Sequence, residues 1–303
     1  MATPDVLDLF CGIGGLSSGF RKLGYNVTPV DLNPAVPEVF KWNRTGEAVT
    51  ADLSRTVVNG GYDLIVGGPP CKPWSSINVV RRDVLHDDFD LLGRFFLHVK
   101  KNRPKMYLLE NVPPARKTAE RLAAVLKSSG YKFESQIVRY SDYGAPTSRQ
   151  RMILFGTRNG DPTKFFEGLR GQVRTASTVR DAIGYLSAVA EGSIPDHEFP
   201  KLKTMRKYRK YYTTGKYGWH ILNWDEPAPS FGNVVKTYTM HPSGWSRKPP
   251  RVISVKEALL LMGFGRKFRF PPEMGLTPRY QMVVDAVSPA FSMAAANVID
   301  GLL

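Results

Sequence analysis

The first 110 residues contain a series of short apolar runs, and most are closed by a polar residue able to do chemistry. Residues 5–10 lead into a glycine turn. Residues 25–30 end at Asp31, 48–51 end at Asp52, 62–68 lead into Pro69-Pro70-Cys71, and 105–109 end at Glu110. Apolar runs of four to seven residues bounded by Gly, Pro or Asp read as buried strands. Helical patterns lie between them at 16–23, 91–101 and 118–129, and two further strands are expected at 133–138 and 152–156. Such alternation predicts an α/β domain with a mainly parallel sheet. In these sheets ligands bind beyond the carboxyl ends of the strands. Asp31, Asp52, Cys71 and Glu110 all fall at such ends, a convergence that packing alone does not require.

A chain of 303 residues with 42% hydrophobic content can build one large domain, or one with a smaller companion. Two cysteines, Cys11 and Cys71, exclude a disulfide framework and suit a reducing cytosol. There is no CxxC pair and no histidine cluster, so no metal is expected. No apolar run approaches the roughly 18 residues of a membrane span, and the N-terminus lacks the basic-then-apolar order of a signal peptide. A net charge of +15 and a pI near 9.8 suggest a polyanionic partner, most simply nucleic acid.

Three local patterns carry chemistry. Phe10-Cys11-Gly12-Ile13-Gly14-Gly15 stands between a strand and a helix, the arrangement of a nucleotide-cofactor turn. Dinucleotide sites share this plan, but the third glycine of their fingerprint is missing at Ser17. A plain tight turn is the alternative. Cys71 follows two glycines and two prolines at a strand end, as a presented nucleophile would. A buried structural cysteine is the alternative there. Glu110-Asn111-Val112-Pro113-Pro114 presents a carboxylate, which alone could equally pair with a neighbouring lysine. Arg149 and Arg151 are spaced i, i+2 and would share one face of a strand, suited to an anionic group or to solvent.

Together these segments resemble the DNA (cytosine-5) methyltransferase family of prokaryotic and viral type. Asp8-Leu9-Phe10-Cys11-Gly12-Ile13-Gly14-Gly15 is similar to its cofactor motif, and Gly67-Gly68-Pro69-Pro70-Cys71-Lys72-Pro73-Trp74-Ser75 to its nucleophile motif. Glu110-Asn111-Val112 matches its glutamate motif, and Arg149 with Arg151 its paired arginines. Residues 251–264 and 280–289 resemble its two late motifs. Three positions depart from the usual pattern: Lys72 and Thr147 stand where the family has Gln, and Val284-Asp285 where it has Gly-Asn. Asp285 can only accept hydrogen bonds, where Asn could also donate.

The resemblance implies a Rossmann-like S-adenosylmethionine-dependent domain with an inserted target-recognition domain. Residues 1–157 would form the catalytic part, 158–250 the recognition domain, and 251–303 the late motifs returning to the catalytic part. It implies catalytic roles for Cys71, Glu110, Arg149 and Arg151. The cysteine would add to carbon 6 of cytosine, Glu110 when protonated would donate to ring nitrogen 3, Arg151 would hold the base carbonyl, and Arg149 would support the pocket. It assigns S-adenosylmethionine to Phe10, Cys11, Gly12, Ile13, Gly14, Gly15, Asp31, Leu32, Asp52, Leu53, Pro70, Leu91, Asp285, Ala286 and Val287. Asp31 would lie on the ribose and Asp52 near the adenine amino group. No metal is implied.

Residues 158–251 hold 16 Lys and Arg against 8 Asp and Glu. Residues 201–216 contain seven Lys or Arg and no acid, interleaved with tyrosines. Such a run can track phosphates while aromatic groups reach bases, or it can be a solvated face. Residues 235–244, with Lys236, Tyr238 and His241, are the expected DNA-facing loops, and polar residues 75–88 are expected to close over DNA beside Cys71. The partner expected is double-stranded DNA, with the enzyme a cytoplasmic monomer in a prokaryotic cell and a restriction endonuclease acting on the same site. An RNA methyltransferase on the same scaffold and a non-catalytic DNA-binding module are the competing readings.

Overall fold

The computed structural model describes residues 3–71, 89–201, 205–214, 218–246 and 250–303. The loop expected at 75–88 and Lys72 therefore lie outside the described residues. In chain order the elements are β1 (Asp5–Leu9), α1 (Ser18–Lys22), β2 (Asn26–Asp31), α2 (Val36–Asn43), β3 (Val49–Thr50), β4 (Leu64–Gly67), α3 (Phe89–Asn102) and β5 (Met106–Asn111). Then come α4 (Arg116–Ala124), β6 (Lys132–Arg139), β7 (Gln150–Thr157), α5 (Thr163–Gly171), α6 (Val179–Ile183), α7 (Lys210–Thr213), α8 (Val234–Thr237), α9 (Val255–Leu261), α10 (Leu276–Asp285) and α11 (Pro289–Asp300). They divide into two compact units. The first holds residues 1–139, 150–173 and 289–303, and the second holds 140–149 and 174–288.

The first unit is built on a seven-stranded sheet of order β3-β2-β1-β4-β5-β7-β6. The strands β1 to β5 run parallel, and β7 lies antiparallel between β5 and β6. Every residue of β4 and β5 is buried, as expected for central strands covered on both faces. Leu7, Leu9, Ile65, Tyr107, Leu109 and Leu154 from the sheet pack with Phe95, Phe96 and Val99 of α3 and Ala119 and Ala123 of α4. Helices α1 and α11 cross closely, because a Cβ at Gly19 would strike the Ser292 backbone, and the Gly19 N–H donates to Ser292 Oγ at 2.8 Å. From β1 the chain order runs outward to β2 and β3 on one side and to β4 and β5 on the other. The topological switch point, where such sheets bind ligands, therefore lies between the carboxyl ends of β1 and β4.

The expected strands are all present, and the differences are local. The helix expected at 16–23 is shortened to α1, because residues 12–17 form the turn. The one expected at 118–129 is α4 continued by a tighter 3-10 turn to Ser129, stopped at Gly130 with φ 86°. Helix α2 lies in a stretch for which no element was expected. Pro37 sits in the first helical turn, where its missing N–H costs nothing.

The second unit has short elements joined by isolated bridges, Thr147 with Ala228, Ile221 with Met240, and Met240 with Val252. Its anchor is α9, buried along its whole length and started by a reciprocal cap between Ser254 and Glu257. Arg251 clamps the Glu257 carboxylate with two bonds of 2.6 and 2.7 Å. The Tyr280 hydroxyl of α10 donates to the Ile253 carbonyl at 2.7 Å. The unit boundaries fall at 139/140, 149/150, 173/174 and 288/289, whereas the motifs divide the chain at 157/158 and 250/251.

The stretch Leu276–Asp300 is long and apolar enough to cross a membrane by length and composition. It is divided instead into α10 and α11 at residues 286–288, and its apolar side chains are mostly buried inside the protein.

Candidate active site at the carboxyl edge of the sheet

Past the end of β1 the backbone takes an unusual course. Phe10 has φ 58°, Gly12 φ 50° and Gly14 φ 77°, so a non-glycine residue is held in the left-handed region at the start of the turn. The Gly12 N–H donates to Asp31 Oδ2 at 2.8 Å, and the Asn33 N–H donates to Asp31 Oδ1 at 2.9 Å. Asp31 thus ties the turn to the end of β2. Each oxygen keeps acceptor capacity, since an ionised carboxylate offers about four sites.

Gly14 is required for a different reason. The Arg21 guanidinium donates to the Gly14 carbonyl at 2.9 Å and lies 5.0 Å from the Phe40 ring centroid. A Cβ at Gly14 would strike Arg21 and come 2.8 Å from Phe40 Cζ. Beneath the turn, burial lifts the Asp8 carboxyl to about 6, against the opposing pull of Ser17 and Arg21. Gly14→Ala should therefore both strain the backbone and overpack the turn, costing about 1–3 kcal/mol. A thermal melt and a cofactor titration check this. Wild-type values in both would contradict the account.

The remaining cofactor candidates differ in what they offer a ligand. Leu32 is 62% exposed beside Asp31, an apolar surface a flat ring could cover. Asp52 is held below the usual carboxylate range by hydrogen bonds from Ser54, with Arg55 3.5 Å away. Leu53 sits in the core cluster, and its carbonyl accepts from Arg94 Nε at 2.8 Å. Cys11, Ile13 and Gly15 are buried, and Phe10, Gly12, Pro70 and Leu91 are half-buried. A Cβ at Gly12 would meet nothing within 4 Å, so open space lies over the turn. An open glycine cradle, a carboxylate with spare acceptor sites and an exposed apolar side chain fit a nucleoside cofactor with vicinal hydroxyls. In the second unit, Asp285 ends α10 in an exposed position, while Ala286 and Val287 are buried.

The turn before Cys71 and the strand that carries Glu110 are clasped together. Asn111 Nδ2 donates to the Pro69 carbonyl at 3.0 Å, and Asn111 Oδ1 accepts from the Val112 N–H at 2.8 Å. A Cβ at Gly68 would lie 3.1 Å from Glu110 Oε2, so the glycine lets that carboxylate approach the turn. Arg151 Nε contacts Glu110 Oε1 at 2.9 Å, with side-chain exposures of 11% and 9%. Arg151 also donates to the Gln150 carbonyl at 2.7 Å. Cys71 follows Pro70 directly and is half-buried. The other thiol, Cys11, is pushed well up by burial and by the nearby Asp8 and Asp31 carboxylates, and is a poor thiolate. Arg149 precedes β7 and belongs to the second unit, where it is buried. Sequence reasoning assigned no task to Asn111, Gly68 or Arg21. Asn111 lay inside a quoted motif, and its position beside Glu110 was the available signal.

In the second unit, Arg206, Lys207, Arg209 and Lys210 are exposed. The tyrosines among them pack inward. Tyr208, Tyr211 and Tyr238 lie 5.1, 5.0 and 4.9 Å from the Trp219 ring centroid. The run therefore presents its cations and uses its rings as a local core.

The family described as C-5 cytosine-specific DNA methylase matches residues 5–300. The Type II methylase M.HgiDII of Herpetosiphon aurantiacus is 26% identical over 342 residues, covering 97% of this chain and 93% of that protein. The Type II methyltransferase M.XorII of Xanthomonas oryzae is 30% identical over 239 residues, covering 72% of this chain and 52% of that protein. Among solved structures, the Entamoeba histolytica methyltransferase EhMeth superposes with a TM-score of 0.73 at 17% identity over 100% of both chains. The S. pombe Dnmt2 methyltransferase does so with 0.71 at 17% identity over 99% of both. The structures show a shared fold. With the family match spanning almost the whole sequence, the chain belongs to the C-5 cytosine-specific DNA methylase family.

Proposed function

We propose that the protein transfers a methyl group to carbon 5 of a flipped-out cytosine in a specific duplex DNA sequence through a covalent Cys71 adduct. The observation that carries this reading is the clasp joining the Cys71 turn, Glu110 and Arg151. Carbon 5 of cytosine is too weak a nucleophile on its own. Addition of the Cys71 thiolate to carbon 6 makes the ring an enamine, with electron density at carbon 5. Glu110, protonated at that stage, donates to ring nitrogen 3 and offsets the charge that develops there. Arg151 orients Glu110 and holds the base carbonyl, and Arg149 supports the pocket. S-adenosylmethionine, when bound, supplies an electrophilic methyl group on sulfur. Phe10, Gly12, Gly14, Asp31, Leu32 and Asp52 would hold its nucleoside. A base then removes the carbon 5 proton, the carbon 6 bond to sulfur breaks, and Cys71 leaves as thiolate.

A stacked base cannot offer carbon 6 to a thiol, so the target must leave the helix at a cost of a few kcal/mol. Recognition falls to residues 158–250. The enzyme would act as a monomer on DNA in a prokaryotic cytoplasm, with a restriction endonuclease of the same specificity as its counterpart. Incubation with S-adenosylmethionine labelled in its methyl group, and either unmethylated plasmid DNA or tRNA, tests the reading. Label in DNA alone is expected, and label confined to tRNA would overturn it.

Neutralising Lys207, Arg209 and Lys210 together should weaken binding to all duplexes alike. The slope of log affinity against log salt should shrink by about 0.9 for each phosphate that these side chains no longer neutralise. An unchanged slope would make this run a solvated face.

A further inference from the structure

Buried backbone groups need partners, and in the glycine turn most have one. The Cys11 N–H donates to the Val30 carbonyl at 3.1 Å, the Gly12 N–H to Asp31, and the Gly14 N–H to the Cys11 carbonyl at 2.9 Å. The Gly15 carbonyl accepts from the Ser18 hydroxyl at 2.8 Å, and the Gly14 carbonyl accepts from Arg21 at 2.9 Å. Gly15 is buried, yet its N–H meets no acceptor among the described residues. The turn therefore holds a donor that its own backbone does not use.

Arg21 sets the direction of that donor. Across a trans peptide the C=O and N–H point opposite ways. Arg21 draws the Gly14 carbonyl toward α1, so the Gly15 N–H faces away from Arg21 and from the Phe40 ring that the guanidinium covers. Gly14 has φ 77° and no Cβ, so backbone sterics alone leave this peptide free to rotate. The cation is itself held in place. It is half-buried over Phe40 of α2, at 5.0 Å from the ring centroid. Burial pulls the guanidinium below its usual pKa range, and the Asp8 carboxyl beneath the turn pulls it back up. Arg21, Gly14, Gly15, Phe40 and Asp8 all belong to the first unit.

We propose that Arg21 is a positioning residue that turns the Gly15 N–H toward the carboxylate at the amino-acid end of the cofactor. That carboxylate is the anionic group of S-adenosylmethionine, and a charged acceptor makes the stronger bond to an N–H. Arg21 acts through the peptide plane and does not touch the cofactor. The nucleoside contacts of Asp31 and Leu32 do not depend on it. The inference rests on the reading that the cofactor lies over the glycine turn.

The test compares two ligands by calorimetry on the intact protein: S-adenosylhomocysteine, and 5′-methylthioadenosine, which carries the same nucleoside without the amino acid. Arg21→Met keeps the length of the side chain and removes its donors. It should weaken S-adenosylhomocysteine about tenfold and leave 5′-methylthioadenosine within about twofold of wild type. In turnover, KM for S-adenosylmethionine should rise by a similar factor with kcat little changed, because the contact is the same in the ground and transition states. Arg21→Lys keeps one donor for the Gly14 carbonyl and should recover most of the affinity. Arg21→Gln is too short to reach that carbonyl, should behave as Arg21→Met does, and carries the test should Arg21→Met fold poorly. Equal losses for both ligands would mean that the turn has collapsed, and unchanged affinity for both would mean that Arg21 aims nothing; either overturns the proposal. Asp31→Ala separates this inference from the reading beneath it. If Asp31→Ala weakens both ligands while the Arg21 variants bind as wild type, the role of Arg21 is overturned and the cofactor reading stands. If Asp31→Ala and the Arg21 variants all bind as wild type, the cofactor reading fails, and the role of Arg21 with it.

Discussion

Cys71→Ser should lose methyl transfer by on the order of 10³-fold or more while binding DNA and cofactor nearly as the wild type does. Serine keeps the size and the turn, but its hydroxyl has no counterpart to the thiolate proposed to attack carbon 6. Cys71 is half-buried at the end of a turn clasped by Asn111, whereas Cys11 is buried and its thiol is pushed far up. Cys11→Ala should therefore keep turnover within a few-fold. Single-turnover assays on both variants check the contrast. Equal losses at the two cysteines, or a Cys71→Ser enzyme within tenfold of wild type, would remove the covalent step.

Arg151→Ala should damage both stability and catalysis. The Glu110 and Arg151 side chains are about nine-tenths buried and meet at 2.9 Å. Removing one partner of a buried pair leaves an uncompensated charge and typically costs about 3–5 kcal/mol. The same change releases Glu110 from its proposed orientation toward the base, so turnover should fall by about 10²–10³-fold. Arg151→Lys keeps the charge but lacks the rigid planar fork, and should recover stability more than turnover. Denaturant melts beside kcat measurements check both. A variant with wild-type stability and turnover would show that the pair is incidental. By contrast, Arg180→Ala breaks a pair exposed to solvent on both sides and should leave the melting temperature unchanged.

Much of this was legible in the sequence because the sheet writes a simple signal. Apolar runs of strand length ended at Asp31, Cys71 and Glu110, and the parallel order put their ends on one edge. Family motifs suggested the roles proposed for them. What stayed hidden depended on contacts between distant segments. Arg21 reads as an exposed helix residue until its bond to the Gly14 carbonyl is seen. Asn111 reads as a turn former, yet it spans 42 residues to hold Pro69. Tyr208 and Tyr211 look like stacking platforms among cations, and only the position of Trp219 shows that they form a local core. Helix α2 has Pro37 in its first turn, a residue as compatible with a turn as with a helix start.

The central claim is methylation of cytosine carbon 5 in DNA through Cys71, and bisulfite sequencing of plasmid DNA from cells expressing the protein tests it most directly. The account predicts protected cytosines in one fixed sequence context with the wild type and none above background with Cys71→Ser. Absence of protected cytosines with the wild type, or equal protection with Cys71→Ser, would contradict it.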